Sequence, residues 1–162
     1  GRGMTTRAIT LVGCCAEKLG RIAPARQMYR SELFRKASIW AEQQGNQWFV
    51  LSAAYGLIRP DYVIQPYDRS MRAMSALEKV NWDYHVAGQL EAEAGFHDVD
   101  QLEITLLAGQ SYAGWIPLVS DWCVVRQPLA GMQIGQRLQW LKQQIEGGPA
   151  ADAVTAGGRA PC

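Results

Sequence analysis

The chain has 162 residues, 48% of them hydrophobic and 19% charged, with a formal net charge of +1. That length and balance suit one folded domain with a true core, and they exclude a disordered or collagen-like chain. No apolar run approaches the roughly 18–20 residues that cross a bilayer, and the opening residues lack the apolar centre of a signal peptide.

Residues 1–4 read as a cloning remnant ending at a native Met4, residues 5–146 as a single domain, and 147–162 as a flexible Ala/Gly-rich tail. The cysteines fall at positions 14, 15, 123 and 162. Vicinal Cys14-Cys15 cannot easily bridge, and no C-x-x-C or Cys/His spacing points to zinc. A reducing cytoplasmic compartment is therefore expected, with no metal and no cofactor. The net charge hides an asymmetry: residues 1–72 carry a balance of +6 and residues 73–162 one of −5. Most of the basic half is arginine, whose planar fork matches phosphate, although salt bridges to the acidic half would use the same charges.

Along the chain, Ala8–Val12 is an apolar, β-branched run that predicts a buried strand, with Gly13-Cys14-Cys15 as its turn. Ser31 is placed to cap a helix running to Gln44. A second strand follows at Trp48–Leu51, then a long loop through Pro60 and Pro66. Ser75 opens a helix to about Ala94, and Leu102–Leu107 is a third strand. Trp115–Ser120 predicts a short helix and Cys123–Val125 a fourth strand. The last helix is expected over Gln133–Ile145, with Ile134, Leu138, Leu141 and Ile145 on one face. Strands alternating with helices predict a three-layer α/β/α domain around a short, mostly parallel four-stranded sheet. Ligands of such sheets bind outside the carboxyl ends of the strands, which directs attention to the four post-strand segments.

No G-x-G-x-x-G follows the first strand and no Walker sequence is present, which argues against a bound dinucleotide or P-loop nucleotide. The stretch Ser52–Asp68 is too long and irregular for a mere connection and reads as a binding loop. Tyr55 and Tyr67 could stack on a planar base. Asp68 could activate water, with Arg69 keeping it ionised. A packed tyrosine loop with Asp68 as a turn residue is the plainer alternative. Gly109-Gln110-Ser111-Tyr112 follows the third strand and offers close backbone approach and an anion-binding turn, or only a tight turn. Cys14 reads as a buried thiol, because His85 and His97 lie on or after the middle helix, away from the strand ends. The tryptophans read as core, with Trp115 the one placed to line the site.

These segments carry a resemblance. Val12–Lys18 resembles a Cys-Ser-Lys-x-Lys opening with Cys15 at its second position, and Pro24–Phe34 looks like the ALY-x-S-x-LF stretch that follows it. The LSAAYGLIRP and IQPYD segments are similar to the signature LSGLYGVLRP…QPYR of the YaaA peroxide-stress proteins. Gly109–Tyr112 and Pro128–Gly135 resemble later motifs of a compact YaaA-related family of bacterial and phage domains. Asp68 stands where YaaA carries arginine, and YaaA's additional regions are absent.

The resemblance implies a uracil-DNA-glycosylase-like fold and nucleic-acid work: an N-glycosidic-bond hydrolase acting on a flipped, modified base in single- or double-stranded DNA. Alternatives are a non-catalytic DNA-binding and damage-protection module, or an enzyme on free nucleosides or nucleotides. For such a reaction the residues themselves leave Asp68 or Glu17 as catalytic base, with Cys14, Lys18, Tyr29, Ser52, Tyr55, Gly56, Tyr67, Gly109, Gln110 and Tyr112 as substrate-binding positions. Arg26, Arg59, Arg69 and Arg72 would hold phosphates.

Overall fold

The computed structural model describes residues 3–158. In chain order its elements are β1 (Thr6–Gly13), β2 (Ala23–Pro24), α1 (Ala25–Met28), α2 (Glu32–Gln43), β3 (Gln47–Ser52), β4 (Gly56–Ile58) and β5 (Val63–Ile64). After these come α3 (Ala76–Phe96), β6 (Gln101–Leu107), α4 (Ile116–Val119), β7 (Cys123–Arg126) and α5 (Ile134–Gly158). The main sheet has five strands in the order β4-β3-β1-β6-β7, not four. The added strand, β4, pairs antiparallel with β3, and all other neighbours are parallel.

Side chains alternate across a strand, so residues in register share a face. Leu11 lies level with Phe49 and Leu106, and all three belong to one core cluster, under α3 and α4. Val12 lies level with Val50 and Leu107, and these belong to the opposite cluster, under α2 and α5. The domain is thus three layers, α/β/α. α3 covers its face with Trp82, Val86, Leu90 and Ala94, a stripe at four-residue spacing. Ser75 starts this helix with a complete capping box to Glu78, and Ser31 caps α2 through the Phe34 N–H. On α2, Ala37 and Ala41 are fully buried against the sheet, and Trp40 meets Trp140 of α5 with ring centroids 6.1 Å apart.

Two expectations for α5 change. Ile134 is exposed, so the covering face is led by Trp140 and Leu141. Helical backbone also continues past Ile145 to Gly158 across a non-helical Gly148, and residues 159–162 lie outside the described residues.

The loop expected after β3 is a hairpin followed by a clip. Gly56 closes the β3–β4 turn at φ +71°. β2 and β5 then pair antiparallel, and Ala25 N–H and Arg26 N–H donate to Tyr62 O and Pro60 O, each at 2.9 Å. This backbone zip draws residues 16–30 and 59–67 together over the strand ends. At the sheet margin Gln89 of α3 accepts from Leu57 N–H at 2.8 Å and donates to Leu57 O at 3.3 Å and Tyr55 O at 3.2 Å. A glutamine side chain therefore satisfies the outer face of β4, which removes an exposed edge.

A Cβ at Gly56 would overlap the Gln89 amide in addition to straining the backbone, whereas Gly45, also left-handed at φ +74°, has open space around it. Gly45→Ala should cost about 1 kcal/mol in urea unfolding and Gly56→Ala clearly more, about 2–3 kcal/mol. Equal losses would show that Gln89 contributes nothing.

Candidate functional site

The strand order reverses between β1 and β6, so the switch point of the sheet lies outside their carboxyl ends. Backbones approach closely there: a Cβ on Gly13 would sit 2.7 Å from the Cβ of Ala108. A cavity of about 60 Å³ opens at this point, with Gly13, Cys14, Phe34, Gly109 and Tyr112 in its wall. Small-molecule pockets are commonly ~300 Å³ or more. At this size the cavity does not enclose a ligand of that class.

Cys14 continues the β1 ladder through its N–H to Leu51 O at 3.0 Å, which fixes its side chain between β3 and β6. Its bonds form a closed circuit. Ala53 N–H donates to Sγ at 3.3 Å, and the Tyr112 hydroxyl donates to the Cys14 carbonyl at 3.1 Å. With that hydrogen spent, the thiol donates to the Tyr112 oxygen at 3.2 Å. Trp115, expected to line the site, is fully buried beneath it and donates to Tyr112 O at 2.6 Å.

A second cluster stands beside the first. Ser52, fully buried at the end of β3, meets the Tyr67 hydroxyl at 2.8 Å, and Tyr67 meets the Tyr29 hydroxyl at 2.6 Å. Trp82 Nε1–H donates to Ser52 O at 2.9 Å and holds that residue from α3. The clip supplies the rest: Lys18 pairs its backbone with Tyr29 and brings its Nζ to 4.5 Å above the Tyr67 ring. Tyr55, 44% exposed, sets its ring edge-on to Tyr67 at 5.5 Å. Burial raises the pKa of Tyr29, Tyr67 and Tyr112 above the ordinary tyrosine value, and the neighbouring Cys14 adds to the effect for each. All three hydroxyls are therefore protonated donors at neutral pH.

The structure thus gathers Cys14, Lys18, Tyr29, Ser52, Tyr55, Gly56, Tyr67, Gly109 and Tyr112 at one edge. It does not gather the remaining positions. Asp68 and Glu17 are exposed, and their carboxylates have no partner among the described residues; the Gln110 side chain is exposed as well. Arg26 is paired with Asp61 and lies 3.7 Å from Glu42. Arg59 reaches Glu93 at 3.5 Å, and Arg69 reaches Glu78 at 3.2 Å. Arg72 alone of the four has no carboxylate partner among the described residues. His85, placed by the sequence away from the strand ends, instead lies 3.3 Å from Tyr55 O in the hairpin turn. Its position on an exposed helix face gave no sign of this, because only the fold of β4 onto α3 creates the contact. Among the described residues no group of three or more His, Cys, Asp or Glu could hold a metal ion.

A model for a family described as a family of unknown function, DUF6884, matches residues 9–143. The chain belongs to this family. The DUF6884 match runs from within β1 to within α5, so it takes in both circuits and the clip. The chain is also similar to Uncharacterized protein YfjM of Bacillus subtilis (strain 168), at 22% identity over 153 residues that cover 86% of this chain and 96% of that relative. No solved structure matches.

Because the three buried tyrosines hold their protons more tightly folded than unfolded, their contribution to stability is whole below the unfolded pKa near ~10 and drains as pH rises above it. Tyrosinate absorbance should show Tyr29, Tyr67 and Tyr112 silent through the ordinary tyrosine range in the folded protein and titrating there in denaturant. Six tyrosines titrating together in the native protein would contradict the burial assigned to this cluster.

Proposed function

We infer that the protein hydrolyses an N-glycosidic bond, and that its substrate is a base of DNA, a modified one, turned out of the stack. The observation that carries this reading is the place of Asp68. It is a carboxylate with no partner among the described residues, and it directly follows Tyr67 of the buried hydroxyl cluster. In this reading the base lies at the carboxyl edge of the sheet, with the half-exposed Tyr55 ring as its stacking face. Asp68 orients a water and takes its proton as the sugar gains oxocarbenium character; the base departs with the glycosidic electron pair and the water oxygen bonds the anomeric carbon in its place. The resemblance of these segments to the YaaA signature, with its implied uracil-DNA-glycosylase-like fold, supports the same substrate class.

A second reading has its own observation. Arg26, Arg59 and Arg69, three of the four arginines expected to hold phosphates, are each engaged by a carboxylate. That favours a free nucleoside or nucleotide as substrate over a DNA strand.

Oligonucleotides carrying different modified bases, scored by alkaline cleavage of abasic sites, and the matching free nucleosides, scored by released base, separate the two. On the first reading abasic sites form, and Asp68→Asn lowers their rate by at least about 10²-fold while Glu17→Gln does not. Base release from nucleosides alone moves the substrate to the second reading. DNA binding without product from any substrate removes the hydrolase altogether.

A further inference from the structure

The hydroxyl cluster holds more hydrogens than acceptors. Ser52 Oγ accepts from Ala54 N–H at 3.0 Å and from Tyr55 N–H at 3.1 Å, which fills both its lone pairs. Its hydrogen therefore goes to Tyr67, 2.8 Å away. One further bond joins Tyr67 and Tyr29 at 2.6 Å. Three hydroxyl hydrogens thus serve two bonds. Whichever tyrosine donates to the other, one hydrogen has no acceptor among the described residues. The Cys14 circuit does not take it up, because no hydrogen bond joins that circuit to the tyrosine pair. Nor is it lost by ionisation, since burial holds both phenols protonated.

Burial also says where the surplus is presented. Ser52 is 0% and Tyr29 4% exposed, whereas Tyr67 is half-buried and is the member of the three that reaches the surface. Beside it stands Lys18, whose ammonium donates to Ala16 O at 3.3 Å and has further hydrogens to offer. The pair presents donors and no free acceptor, so it selects a guest atom that only accepts.

We propose that the Tyr67 hydroxyl and the Lys18 ammonium form a subsite for an acceptor oxygen, filled by the exocyclic carbonyl of an oxo base. The choice of a base rests on the nucleobase reading above; the oxygen subsite does not. Uracil, thymine and guanine present a carbonyl where cytosine and adenine present an amino group. An amino group here would set donor against donor, and an unmet donor is penalised more heavily than a made bond is rewarded. One neutral hydrogen bond corresponds to a preference of about tenfold.

Calorimetric titration of the full chain with 2′-deoxyuridine, 2′-deoxycytidine and inorganic phosphate tests the proposal, the third probe carrying acceptor oxygens with no base. The expected result is binding of deoxyuridine about tenfold or more over deoxycytidine. The ratio should fall several-fold in Tyr67→Phe, where Lys18 is the remaining donor, and keep its full direction in Tyr29→Phe, where one hydrogen still remains on Tyr67. Phosphate bound in a Tyr67-dependent manner while neither nucleoside binds would uphold the oxygen subsite and overturn the oxo base and the nucleobase reading together. Deoxycytidine bound as tightly as deoxyuridine, or none of the three probes bound, would overturn the subsite. So would a cooperatively melting Tyr67→Phe that retains the native preference. The native ratio is decisive on its own should Tyr67→Phe fail to fold.

Discussion

The fully buried hydroxyl of Ser52 is the joint on which this edge of the molecule depends. It terminates β3, takes two hairpin amides that would otherwise be orphaned, and spends its one hydrogen on Tyr67. Two amides desolvated in a turn would cost about 1–3 kcal/mol each if left unmet. Meeting them with a side chain rather than with another strand is what allows the chain to turn back as β4. The same choice orients the tyrosine pair, so hairpin geometry and site chemistry follow from one oxygen atom.

How much of this was legible in the sequence depended on how local the cause was. β1, β3, β6 and β7 are short apolar runs, and each lies within a residue or two of its expected place. Ser31 and Ser75 announce their helices because capping is a contact over three residues. β4 was hidden because three residues, Gly56-Leu57-Ile58, cannot display an alternation, and its outer face is satisfied by Gln89, thirty-two residues away. The β2–β5 ribbon was hidden for the same reason, being two residues on each side. Cys14, Ser52, Tyr67 and Tyr112 could be placed at the edge because they follow strands. Their division into a closed thiol circuit and an open hydroxyl cluster could not, since it depends on which hydrogen meets which lone pair.

The arginines teach a related lesson. The basic first half and acidic second half looked like a polyanion-binding face and its counterweight. In the fold, Arg59 meets Glu93 and Arg69 meets Glu78, so two charges of each half are paired across space, while Arg21, Arg30 and Arg72 stay exposed without a carboxylate partner among the described residues. Exposed pairs of this kind contribute only about 0–1 kcal/mol each.

Gln89 has a consequence beyond the margin of the sheet. One side-chain amide there imitates the peptide of a neighbouring strand, offering an acceptor to Leu57 N–H and donors to Leu57 O and Tyr55 O. The same helix holds Ser52 through Trp82. α3 is therefore mechanically geared to the turn it covers. Through these two side chains α3 grips the hairpin on both sides of its turn, at the carbonyl that ends β3 and at the carbonyl of Tyr55.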